Sequence, residues 1–134
     1  MYRLILTILF GLLVSGHIQK IDLQAYDEVV YDKPLQIKQG DSFEIILKEN
    51  PTTGYFWQTF PWDLEAQGLH KVLKVRSSKY EPDPKAKGAV GHGGTRVFQF
   101  QVLGEGSGKL NFYYGRSWEI QKVKDAGESL DQFV

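Results

Sequence analysis

Cysteine is absent from this chain of 134 residues. Its absence removes thiolate nucleophiles, disulfide staples and cysteine-based metal sites together. Charge of one sign is lacking too. Sixteen Lys and Arg stand against sixteen Asp and Glu, and the two signs are interspersed, as on an ordinary solvated surface. A nucleic-acid binder needs a concentrated basic face, so that class is excluded. No Asn-x-Ser/Thr glycosylation acceptor occurs, because Asn50 is followed by Pro51. Catalytic groupings are missing as well. Ser15, Ser42 and Ser77 lie in no nucleophile-elbow context. His92 is a lone loop histidine with no second His or carboxylate beside it, so neither a metal site nor a general base is expected. The sequence offers no enzyme, no cofactor and no metal.

Apart from one stretch at the start, long apolar runs are missing. Residues 1–16 read as a secretory signal: Arg3 gives a small basic region, Leu4 to Val14 an apolar one, and Val14-Ser15-Gly16 small residues at the cleavage positions. The run is too short for a bilayer, which takes about 20 residues; a one-pass anchor is the rival reading. Removal after Gly16 leaves 17–134 as a single domain, with no membrane attachment and with its charge still near balance. The expected location is the secretory pathway, with release outside the cell or retention in a lysosomal or vesicular compartment. A domain of this size can bury enough apolar surface to fold without disulfides.

What the chain does have is strand signal. Phe43, Ile45 and Leu47 alternate with Glu44, Ile46 and Lys48; Phe98, Phe100 and Val102 alternate with Val97, Gln99 and Gln101; Leu110, Phe112 and Tyr114 alternate with Asn111 and Tyr113. Residues 55–60 and 71–75 are further strands, and 34–38 and 131–134 are weaker ones. Turn residues fall between them at 39–41, 104–108 and 125–128. Only 63–69 and 118–124 could hold helical turns. Short strands without intervening helices predict an all-β sandwich of seven or eight strands with Greek-key connections. The stretch 81–94 breaks the pattern. With Pro82, Pro84 and a Gly-rich end it is too polar for a strand and long for a sandwich loop, so a functional or mobile segment is expected.

The most distinctive run is Asn50-Pro51-Thr52-Thr53-Gly54-Tyr55-Phe56-Trp57, a turn that opens into an aromatic strand. Pro51 fixes φ, Asn50 can bond the backbone two residues on, and Gly54 suits a position with φ > 0. The β-branched Thr52 and Thr53 make the tip stiff, polar and uncharged. Such a wedge enters a cleft while losing little entropy. Trp57 reads as a core aromatic rather than a contact.

Two later loops accompany it: Gly91-His92-Gly93-Gly94-Thr95-Arg96-Val97-Phe98, and Arg116-Ser117-Trp118. The strand order allows all three to share one end of a sandwich. In this order the three runs resemble the chagasin-type inhibitors of papain-like cysteine peptidases, over residues 30–134. The resemblance implies an immunoglobulin-like sandwich and a tight, reversible inhibitor acting as a monomer. Asn50, Pro51, Thr52, Thr53 and Gly54 would enter the cleft near the catalytic pair. Gly91, His92, Gly93 and Gly94 would flank it on one side, and Arg116, Ser117 and Trp118 on the other. Gly93 and Gly94 would allow close backbone approach to the peptidase, and Trp118 would anchor the interface. Ser117 stands where the family usually carries proline, which should loosen the third loop. A different class of function, an immunoglobulin-like adhesion or carbohydrate-binding module, could use the same loops.

Overall fold

Alternation of apolar and polar residues decides which side of each strand meets the core. The structure, a computed structural model, describes residues 3–11, 18–24, 30–38, 40–50, 54–84 and 93–130. Within them lie β1 (Arg3–Gly11), β2 (Ile18–Asp22), β3 (Val30–Lys38), β4 (Ser42–Glu49), β5 (Phe56–Gln58), α1 (Pro61–Ala66), β6 (Leu73–Pro82), β7 (Gly94–Val102), β8 (Gly106–Gly115) and α2 (Ser117–Asp125). A 3-10 turn at Leu69–Lys71 precedes β6. The strands form two four-stranded sheets, ordered β3-β1-β8-β5 and β2-β4-β7-β6. The chain passes from one sheet to the other after β1, β2, β3, β4, β5 and β7, and the two form an immunoglobulin-like Greek-key sandwich.

The core is the set of inward alternates. Phe43, Ile45 and Leu47 from β4, Phe98, Phe100 and Val102 from β7, and Leu110 and Phe112 from β8 are all buried in one cluster. Phe43 stacks on Phe100 with ring centroids 4.9 Å apart, and Phe100 meets Phe112 edge-on at 6.3 Å across the two sheets. Phe98 reaches the same ring at 5.1 Å. These phenylalanines bind one sheet to the other. A smaller cluster lies on the outer face of β8, where Ile120 of α2 packs with Tyr113, Phe60, Val123 and Leu130.

Several expectations shift at their boundaries. The strand expected over 55–60 shortens to β5 because Pro61 opens α1 at its first turn, where a missing N–H costs nothing. β8 begins at Gly106, inside the stretch read as a turn; at Gly108 a side chain would lie 2.6 Å from Leu69 Cδ1, so the glycine admits the 3-10 turn against the strand. β5 is short, leaving part of that edge of β8 unpaired. Gln67 covers it: its amide donates to Lys109 O and accepts from Lys109 N, each at 2.7 Å. β2, over Ile18–Asp22, had no counterpart among the expected strands.

The polar stretch at 81–94 is strand at both ends. β6 runs to Pro82 and pairs it with Gly94, the first residue of β7. Pro82 is tolerated because β6 is an edge strand. Residues 85–92 lie outside the described residues, as do 131–134. Residues 3–11, within the segment read as a leader, form β1. It pairs antiparallel with β8 from Arg3↔Tyr113 to Phe10↔Gly106, and parallel with β3.

The inward and outward positions differ sharply in what they contribute. Phe100→Ala should lower unfolding free energy by about 3–5 kcal/mol, whereas the exposed Lys74→Ala should stay within about 0.5 kcal/mol. Urea titration followed by tryptophan fluorescence measures both.

Candidate functional site

Glu49 is the last residue of β4, and Trp57 is the middle of β5; between them lies the 50–54 turn. The neck of this turn is closed by several hydrogen bonds. Trp57 N donates to Glu49 Oε1 at 2.6 Å, and the Trp57 indole Nε1 donates to Lys48 O at 2.9 Å. Tyr114 of β8 donates its hydroxyl to Asn50 O at 2.9 Å. The Trp57 ring packs on Tyr114 with centroids 5.2 Å apart. Trp57 is buried, as its expected place in the core requires.

The turn leaves its neck through Gly54, whose φ is +87°, the left-handed conformation expected of it. A side chain there would also lie 2.8 Å from Trp118 Cη2 and 3.7 Å from Arg116 Cγ. The first and third segments are therefore in direct contact. The Arg116 guanidinium sits 4.7 Å from the centroid of Tyr55 and 5.9 Å from that of Trp118. Trp118 itself is 61% exposed, the most exposed large hydrophobic residue among those described.

Ser117 is the position at which the resemblance leads one to expect proline. It is the first residue of α2, and both Glu119 N and Ile120 N donate to Arg116 O at 3.1 Å. Arg116 Nη1 also pairs with Glu119 Oε1 at 3.0 Å. A helix start, packed through Ile120, bounds the third segment.

Gly93 brings in the second segment. A side chain on it would lie 3.0 Å from Glu49 O and 3.7 Å from Asn50 Cβ, so this glycine lets β7's approach press on the neck of the turn. At Gly94 a side chain would stand 2.2 Å from Glu81 O and 2.8 Å from Pro82 Cα. Both glycines thus have a requirement inside the domain itself, independent of any partner.

The described members of the three segments come together: Asn50 beside Gly93, and Gly54 beside Arg116 and Trp118. Pro51, Thr52, Thr53, Gly91 and His92 lie outside the described residues. Among the described residues no group of three or more His, Asp or Glu could hold a metal ion.

Two residues at this end escaped the sequence reading. Glu49 and Arg96 form a salt bridge, with Arg96 Nη2 2.8 Å from Glu49 Oε2 and Arg96 Nε 3.1 Å from both carboxylate oxygens. The signal was present in the alternation. One step beyond Phe43, Ile45 and Leu47 comes Glu49; one step before Phe98 and Phe100 comes Arg96. Both fall on the inward side.

The model of the chagasin family of peptidase inhibitors, I42, matches residues 36–128. The chain belongs to the chagasin family of peptidase inhibitors. It is 33% identical over 84 residues to chagasin of Trypanosoma cruzi, covering 63% of this chain and 73% of that protein. Amoebiasin-1 of Entamoeba histolytica is likewise 33% identical over 84 residues, at 63% and 74%. Amoebiasin-2 of the same organism is 34% identical over 101 residues, at 75% and 74%. A crystal structure of a cysteine protease inhibitor from Entamoeba histolytica aligns with a TM-score of 0.49 at 22% identity, over 76% of this chain and 80% of that one. The family is one of inhibitors, and the chain is not an enzyme.

The Gly54–Trp118 contact generates a prediction. Gly54→Ala should cost about 1–3 kcal/mol through left-handed strain and the clash with the indole. Trp118→Ala should be close to neutral for stability, since the ring is exposed, and should relieve the clash part in the double variant. Urea titrations of the two singles and the double give the coupling directly.

Proposed function

We propose that this domain is a reversible inhibitor of papain-family cysteine peptidases that fills the catalytic cleft with the 50–54 turn, flanked by 91–94 and by Arg116, Ser117 and Trp118. The observation that carries the proposal is the packing of Gly54 against Trp118 with Asn50 beside Gly93, which puts described parts of all three segments at one end of the sandwich. Family membership gives the inhibitory role.

The chemistry suits that target. A papain-like cleft holds a thiolate beside an imidazolium, and a peptide bond placed in line with the thiolate is cut. An inhibitor has to occupy the groove without offering such a bond in attack geometry. The hydrogen bond between Glu49 and Trp57 closes the neck of the turn, and its tip of Pro51, Thr52 and Thr53 carries no charge. The exposed Trp118 supplies a large rigid anchor beside it. No Lys or Arg stands in 50–54, so a trypsin-like specificity pocket has nothing to grip.

Export belongs to the same reading: residues 1–16 act as the leader, and the mature domain 17–134 works as a monomer in the secretory pathway or beyond it. Cleavage after Gly16 takes β1 from the edge of β8. β3 then lies antiparallel to that edge, because it runs parallel to β1, and so has the direction needed to close the sheet.

Titration of the domain into papain with a fluorogenic peptide tests the inhibitor reading. Stoichiometric, reversible inhibition is expected, with no effect on trypsin and no cleavage within 50–54 by mass spectrometry. Binding should persist, weakened, to papain whose cysteine carries a small alkyl group, because no covalent bond is required. Rapid cleavage inside the turn, or equal inhibition of trypsin, would overturn it; glycan or cell-surface binding without inhibition would favour an adhesion module. N-terminal sequencing of exported protein should begin at His17.

A further inference from the structure

The inward rows of β4 and β7 are apolar until their last step toward the 50–54 turn, where they end in opposite charges. Glu49 has a side chain with 0% exposure and Arg96 one with 14%. A buried carboxylate is costly unless its oxygens are fully engaged. Here Oε1 accepts from Trp57 N at 2.6 Å and from Arg96 Nε at 3.1 Å, while Oε2 accepts from Arg96 Nη2 at 2.8 Å and Nε at 3.1 Å. Arg96 is itself fixed between rings, 5.5 Å from the centroid of Phe56 and 5.9 Å from that of Tyr80. One carboxylate therefore joins both flanks of the first segment to the strand that follows the second.

We propose that Glu49 and Arg96 are positioning residues that keep the 50–54 turn an uncut plug, so that breaking their pair turns the folded inhibitor into a substrate of its own target. This deepens the inhibitor reading and rests on it. Apolar packing could close the sandwich end more cheaply than an ion pair. What packing cannot supply is direction: the planar fork of Arg96 fixes the carboxylate, and the carboxylate fixes the Trp57 amide. With that amide held, the chain is fixed on both sides of the turn, at Glu49 and at Trp57, which narrows the set of shapes that bring a peptide bond in line with the nucleophile. Releasing it widens that set. The target's thiolate then adds to the carbonyl carbon, and the C–N bond breaks as the amine takes a proton from the imidazolium. Water hydrolyses the resulting thioester, which restores the thiolate.

The test pairs Glu49→Gln with Arg96→Met, a double variant that removes both charges and strands neither. It keeps an acceptor for the Trp57 amide. Papain inhibition is followed over a day at low temperature, beside near-UV circular dichroism to establish folding and mass spectrometry of 50–54. Expected is a folded double variant that leaves papain about 10-fold faster or more and is cut within the turn, while the parent stays intact. A folded double variant that inhibits as durably as the parent overturns the proposal. Should the double variant fail to fold, Arg96→Lys makes the same comparison, since lysine keeps the charge and loses the fork.

Hydrogen exchange separates this proposal from the inhibitor reading, because it needs no peptidase. Amides at 55–57 should exchange about 10-fold faster or more in the variant, with those at 98–100 unchanged. If the parent fails to inhibit papain, the inhibitor reading falls and exchange alone decides the pair: unchanged protection at 55–57 overturns it.

Discussion

A single buried carboxylate organises the loop end of this sandwich. Glu49 stands where the apolar rows of two strands run out, and it receives hydrogen bonds from a backbone amide and a guanidinium. An unpaired charge in that position would cost several kcal/mol, so the partners are obligatory once the carboxylate is there. Trp57 must present its amide, which fixes where β5 begins. Arg96 must lie across the sheet, which fixes β7 beside β4 to its last residue. The two residues that flank the neck of the 50–54 turn, Glu49 and Trp57, are set by these demands.

Glycine completes the assembly by leaving space. At Gly54 the missing side chain is filled by Trp118, at Gly93 by the backbone of Glu49 and Asn50, and at Gly94 by the backbone of Glu81 and Pro82. Each is a place where one segment presses on another. Sequence reasoning takes Gly93 and Gly94 as room for a partner's backbone; the structure shows the room already taken from within. Their first effect is to bring the second segment down onto the first.

The strands of the core were legible because a two-residue period leaves little choice of face. Phe43, Phe98, Phe100 and Phe112 are inward as their alternation requires. The positive φ of Gly54 and the core placement of Trp57 were legible for local reasons. Boundaries were less so. β8 runs through Gly106 and Gly108, which look like turn residues until Leu69 is seen against Gly108. β6 ends in a proline because no neighbour needs its N–H. The ion pair is harder to see because interspersed charge looks like surface, and only the alternation carried past its last apolar residue puts Glu49 and Arg96 on the inward side. Arg3–Gly11 pairs as β1 although its apolar run also has the composition of an export leader.

Two adjacent tyrosines explain how the first and third segments come to share one frame. Successive side chains of a strand point to opposite faces. Tyr114 of β8 faces inward, packs on Trp57 and donates its hydroxyl to Asn50 O. Tyr113 faces outward and packs with Ile120, seating α2 and with it Trp118. The turn is thus referred to one face of β8 and the helix to the other, with only one peptide bond between the two anchors. Any tilt of β8 carries both segments together. A proline in the third segment would stiffen that segment alone; a helix docked on Tyr113 ties it to the strand that also steadies the turn.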